Sequence, residues 1–117
     1  MSFFALDLSQ KDCFSVISVK GYVSADSRDP FTSLIEELLG KGVTNMVFDF
    51  SACELINSPG LVIIMDITYR IVDDFNGRLV LTGLDSLKEK SLRIIGVLAR
   101  AQMAQTVEVG LELLKKK

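Results

Sequence analysis

The chain has 117 residues and contains no histidine. That removes the Ser-His-Asp and Cys-His triads, the imidazole general base and the usual His-containing zinc sites. Cys13 and Cys53 are too far apart for a CxxC redox motif and too few for a four-cysteine metal cage. They read as reduced thiols in core or loop. Asp73 and Asp74 form a carboxylate doublet in a helical stretch, but adjacent helix positions diverge, so no metal or acid-base pair is expected. Asp49 sits where a strand ends and reads either as a solvated carboxylate or as an anchor for the following loop. Gly60 stands alone, so there is neither a Walker A loop nor a dinucleotide turn. The residue with chemistry to offer is Ser58, a hydroxyl followed by Pro59 at the start of a helical pattern. By spacing alone it reads as a helix cap, worth about 1 kcal/mol. No catalytic residue, cofactor or metal site is expected.

Charge narrows the partners. Thirteen basic and fifteen acidic residues give a formal charge of -2, with no basic patch to neutralise nucleic-acid phosphates. Lys115-Lys116-Lys117 is the only basic run and reads as a solvated tail, since stable membrane anchoring usually needs a second signal. The N-terminal segment Met1 to Asp7 lacks a basic n-region and meets Asp7 too soon for a signal peptide. No uncharged apolar run approaches about 18 residues. The expectation is one cytoplasmic domain over residues 1–117, without membrane insertion.

Elements must place Ser58. Phe3 to Leu8 and Cys13 to Val19 read as strands joined by a turn at Ser9 to Asp12; the second alternates Cys13, Ser15, Ile17 and Val19 against Phe14, Val16 and Ser18. Gly21 to Asp29 reads as loop. Asp29 at the N-cap and Pro30 in the first helical position open a helix whose stripe is Phe31, Leu34, Ile35 and Leu38. Val43 to Phe50 is dense enough in apolar residues for a central strand covered on both faces. A second helix follows Asn57-Ser58-Pro59-Gly60, with Ser58 as N-cap. Its stripe of Leu61, Ile64, Met65, Thr68, Ile71, Val72 and Phe75 would turn Ile63 outward, beside Asp66, Arg70 and Asp74, with Val62 and Ile67 on the flanks. Asn76-Gly77 ends it. Arg78 to Thr82 is a strand, Asp85 caps a helix to about Ile95, Met103 to Val109 reads as a last strand, and Gly110 to Lys117 as a short helical tail. Strands alternating with helices imply an α/β domain with a largely parallel sheet. The first hairpin adds an antiparallel strand, giving a mixed sheet of four to five strands with helices mainly on one face.

The passage Met46 to Leu61, with its apolar strand, Asp49, short loop and Asn57-Ser58-Pro59-Gly60-Leu61, resembles the signature of STAS domains of the bacterial anti-sigma factor antagonist type. There the helix opens on Asp-Ser-Ser-Gly-Leu. Gly21 after the second strand, Asn76-Gly77-Arg78-Leu79-Val80 and the order of elements extend the resemblance over nearly the whole chain. Asn57 stands in place of the usual Asp, and Pro59 in place of the second Ser or Thr. Ser24 falls near the position of a family Asp, which Asp26 could supply.

The resemblance implies a non-enzymatic partner switch. Ser58 falls on the serine that a GHKL-type anti-sigma factor kinase phosphorylates and a PP2C-type phosphatase resets. The unmodified protein binds the anti-sigma factor; the phosphorylated one releases it. A phosphate at the helix start would meet free N–H groups and the positive helix end, so its charge would act on the docked partner rather than on the fold. The partner surface is expected to comprise Ser24, Asp26, Asn57, Ser58, Pro59, Gly60, Val62, Ile63, Asp66 and Ile67. An outward Ile63 is equally compatible with an isolated surface isoleucine. Stand-alone domains of this kind also serve as subunits of lipid-transport ABC transporters or as stressosome-like scaffold components, and both remain alternative readings.

Overall fold

A computed structural model describes residues 3–116. Met1, Ser2 and Lys117, at the ends of the N-terminal segment and the lysine run, lie outside the described residues. The opening hairpin is longer than its alternation predicts. β1 (Phe4–Lys11) pairs antiparallel with β2 (Phe14–Val23), from Phe4 opposite Gly21 to Lys11 opposite Phe14. The turn falls at Asp12-Cys13, where Asp12 takes the left-handed φ of 59°, a conformation that Asp tolerates better than most residues. Cys13 is therefore an exposed turn residue, and only Cys53 is a buried thiol.

α1 (Arg28–Gly40) follows a 3-10 turn, Ala25–Ser27. The turn shifts the helix start: Ser27, not Asp29, is the N-cap, and Pro30 lies within the first turn, where its missing N–H costs nothing. β3 (Asn45–Asp49) and β4 (Cys53–Ile56) both run parallel to β2, one after the other along the same edge. This explains why β2 extends through Gly21 to Val23, a stretch that reads as loop: β4 supplies its partner. α2 (Ser58–Tyr69) continues into a wider π turn, Arg70–Asp74. β5 (Arg78–Thr82) returns beside β3, and α3 (Ser86–Ile94) begins after its Asp85 cap. β6 (Gln102–Met103) is two residues long, and α4 is Val107–Lys115. The sheet is thus mixed and six-stranded, in the order β1-β2-β3-β5-β6 with β4 on β2.

Successive residues of the central strands divide between two cores. Ile17, Val19, Met46, Phe48, Leu79 and Leu81 meet α1, α2 and α3 in the larger cluster. Phe14, Val16, Val47 and Val80 meet Leu114 of α4 on the opposite face. Of the segment Met103 to Val109 expected as a last strand, only Met103 is in a strand and Val107 to Val109 open α4, because the Thr106 hydroxyl accepts from the Val109 N–H at 3.1 Å and starts a helix there. The Arg78 guanidinium holds the far end of α4, donating to the carbonyls of Leu113 (2.7 Å) and Lys116 (2.6 Å).

Candidate functional site

The parallel strands bring four pieces of chain to one end of the sheet: the turn after β2, the end of β4, the start of α2 and the start of α3. Loops at the carboxyl ends of parallel strands are where α/β folds present functional groups. Val23 fixes the junction. Its carbonyl accepts from the Asn57 N–H at 3.1 Å, and α2 lies so close behind it that a Cβ on Gly60 would overlap this carbonyl oxygen. Gly60 is therefore a contact residue between helix and sheet.

The cap of α2 is Asn57, not Ser58. The Asn57 Oδ1 accepts from the Gly60 N–H at 2.9 Å, while Nδ2 donates to the Tyr22 hydroxyl at 3.1 Å. Ser58 becomes the first residue of the helix and is exposed. This changes the expected environment of a phosphate. The Gly60 N–H is already taken, the Leu61 N–H bonds the Asn57 carbonyl at 2.9 Å, and Pro59 has none. Of the first three helix amides only that of Ser58 itself stays open, so this end is a poorer anion cradle than an ordinary helix start.

Three residues expected on the partner surface are buried: Gly60, Ile63 and Ile67. Ile63 is 1% exposed and Ile67 4%. The buried stripe of α2 is Gly60, Ile63, Ile64, Ile67 and Thr68, about one residue out of phase with the expected one. The helix is apolar nearly all round, so periodicity leaves its rotation open, and the Gly60 contact decides it. Val62 is exposed. Asp66 is exposed and pairs with Arg28 at 3.3 Å. Ser24 precedes and exposed Asp26 lies within the 3-10 turn that packs on α2, and the Ser24 N–H bonds the Ser27 hydroxyl at 3.0 Å. Thus Ser24, Asp26, Asn57, Ser58, Pro59 and Gly60 share one end of the sheet, with Val62 and Asp66 further along α2.

A groove of about 410 Å³ opens beside Ser58, bounded by Leu55, Asn57, Leu61, Asp85, Leu87 and Lys88 among others. Leu55 and Leu87 are among the exposed large apolar side chains, 46% and 66% accessible. The Lys88 side chain is only 9% exposed. Its ammonium donates to Asp85 Oδ2 at 2.6 Å and to the Glu54 carbonyl at 3.3 Å, while Asp85 Oδ1 caps α3 on the Lys88 N–H at 2.8 Å. The Lys88 ammonium, then the backbone N–H, hold the Asp85 carboxyl below its usual range. Burial pushes the Cys53 thiol up, partly offset by Lys88, which makes it a poor nucleophile. Sequence reasoning found the Asp85 cap but missed Lys88, Tyr22 and the groove; the Asp85–Lys88 spacing of three on one helix was the available signal. Asp49 does anchor its loop: Oδ1 accepts from the Ser51 N–H (3.0 Å), the Ser51 hydroxyl (2.6 Å) and the Thr82 hydroxyl (3.3 Å). Among the described residues no three Cys, Asp or Glu side chains converge as a metal site, and no helix is long and apolar enough to cross a membrane.

This mixed sheet, with Ser58 presented at the start of its second helix, is the fold of the STAS-type anti-sigma factor antagonists. The resemblance drawn from the sequence holds in three dimensions. An anti-sigma factor antagonist from Mycobacterium paratuberculosis superposes with a TM-score of 0.83 at 17% identity, over 97% of this chain and 96% of that one. The S58E form of RsbS from Moorella thermoacetica gives 0.79 at 22% identity, over 94% of each chain. The Bacillus cell fate determinant SpoIIAA in its phosphorylated form gives 0.74 at 18% identity, over 93% and 98%. No family model and no curated protein matches the chain by sequence.

Proposed function

We propose that this chain is a non-enzymatic, cytoplasmic binding module of the anti-sigma factor antagonist type, with Ser58 as its switch. The observation that carries the reading is an exposed hydroxyl on the first residue of α2, held at the sheet end by Gly60 and Asn57, in a fold shared with such antagonists. The unmodified protein binds an anti-sigma factor that is also a GHKL-type serine kinase. That partner transfers the terminal phosphoryl group of ATP: the Ser58 Oγ–P bond forms, the bond to the departing ADP breaks, and the hydroxyl proton passes to a base on the partner. A PP2C-type phosphatase reverses the modification by hydrolysis. The phosphate adds about -1.5 to -2 charge at the docking surface, enough to expel a partner without refolding the domain. The surface offered comprises Ser24, Asp26, Asn57, Ser58, Pro59, Val62 and Asp66; buried Gly60, Ile63 and Ile67 support it from beneath.

Affinity capture from native lysate with mass spectrometry on Ser58 tests this. The expected result is a kinase-type anti-sigma factor in the eluate and one added phosphate, with Ser58→Ala keeping the partner and Ser58→Asp losing it. A partner retained equally by both variants refutes the switch. A stressosome structure is also among the fold neighbours, and it supports a scaffold as the second reading; light scattering would then show a large assembly.

A further inference from the structure

Among the described residues, Lys88 is the one cationic side chain lining the groove beside Ser58. It is an unusual lysine, since its side chain is nine-tenths buried, and lysines are rarely buried unless paired. The charged and titratable groups around it are Asp85 at the start of α3 and Glu54 and Cys53 on β4; the α2 wall contributes Ser58 and Leu61 with no ionisable group. Asp85 divides its two oxygens. Oδ1 holds the cap of α3, and Oδ2, together with the Glu54 carbonyl, holds the ammonium. The ammonium can therefore leave Oδ2 without uncapping α3. The start of α2 offers a phosphate little, because Asn57 and Pro59 leave it one open amide.

We propose that Lys88 is the counter-ion of phosphorylated Ser58: the ammonium exchanges Asp85 Oδ2 for the phosphate and draws it into the groove between Leu55 and Leu87. A dianion competes well against one half-exposed carboxylate, because charge-assisted bonds strengthen with the charge of the acceptor. The exchange fills the groove, releases a free Asp85 carboxylate at its rim and turns the surface around Leu87 strongly negative. The inference rests on the reading of Ser58 as the switch residue and specifies how the modified state is held.

The test uses the full chain with phosphoserine inserted at position 58 during synthesis, so neither kinase nor partner is needed. The phosphate is titrated by phosphorus-31 NMR in the otherwise unchanged chain and in Lys88→Gln and Lys88→Arg. The expected midpoint in the unchanged chain is at least about half a pH unit below that of Lys88→Gln, with Lys88→Arg staying low. Equal midpoints in the unchanged chain and Lys88→Gln overturn the proposal. Should Lys88→Gln fail to fold, the nitrogen-15 resonance of the Lys88 ammonium decides: a shift on phosphorylation is expected, and an unmoved resonance overturns the exchange. Failure here leaves partner binding untouched, and failure to capture a partner leaves the exchange measurable.

Discussion

Gly60→Ala is the sharpest probe of how the Ser58 end is built. A methyl at position 60 would overlap the Val23 carbonyl oxygen, lie 2.9 Å from the Val23 carbonyl carbon and 3.1 Å from Ile56 Cγ2. The first two are backbone atoms at the end of β2, held there by the pairing of Val23 with Ile56 of β4 and by the bond from the Asn57 N–H. The helix start must lift instead. Forced repacking of this kind costs about 1–3 kcal/mol. Lifting also stretches the Asn57–Gly60 cap, worth about 1 kcal/mol. Alanine returns at most about 1 kcal/mol of helix propensity. The net expectation is a loss of about 1–3 kcal/mol, which lowers the urea midpoint by roughly 0.7–2 M for a slope of about 1.5 kcal/mol per M. Because the glycine does not occupy the left-handed region, no backbone strain adds to these contributions. Urea denaturation followed by circular dichroism measures it, with the Ser58 and Leu61 amide resonances as local reporters. A midpoint at or above that of the parent, with those resonances unmoved, would refute the claim that α2 is pressed onto the end of β2.

Asn57→Ala is expected to lose about 1–2 kcal/mol through the cap, while Ser58→Ala stays within about 0.5 kcal/mol of the parent; the reverse order in denaturation would return the cap to Ser58. Ile63→Ala should cost about 2–5 kcal/mol and Val62→Ala less than about 1 kcal/mol, since one side chain is buried and its neighbour 43% exposed; equal losses would contradict the rotation of α2. Asp85 and Glu36 titrate below their ordinary values of 3.8 and 4.5, through hydrogen bonds from Lys88 and Arg70 respectively. Their stabilisation is fully present above those values and is lost as the pH falls through the lower folded ones. Denaturation midpoints should therefore fall below about pH 4, less steeply in Asp85→Asn than in the parent.

The fold was legible where one residue type has one job. Phe31, Ile35 and Leu38 mark the face of α1, Asp85 caps α3, and the apolar density of Met46 to Phe48 announces a strand buried on both sides. It was illegible where a partner decides. Cys53 to Ile56 shows no alternation and becomes β4 because β2 offers it an edge. Val107 and Val109 have β-branched side chains, yet Thr106 starts a helix there. Within the site, Ser58 and its neighbours could be placed at a helix start, but which of Asn57 and Ser58 caps it depends on Tyr22 and Val23, 34 to 35 residues earlier. Lys88 was invisible because a lysine reads as solvated until the wall that buries it is known.

The two faces of the sheet have different histories during synthesis. The large core under α1, α2 and α3 closes once residues up to about Ala101 have left the ribosome. The opposite face, with Phe14, Val16, Val47 and Val80, waits for Leu114 and for the carbonyls of Leu113 and Lys116 to which Arg78 donates. Until then the nascent chain displays a bare apolar patch across its central strands, the kind of transient surface that invites association with other unfinished chains. α4 is in this sense an intramolecular chaperone: nine residues that follow the strands they cover and end the period in which that face is sticky.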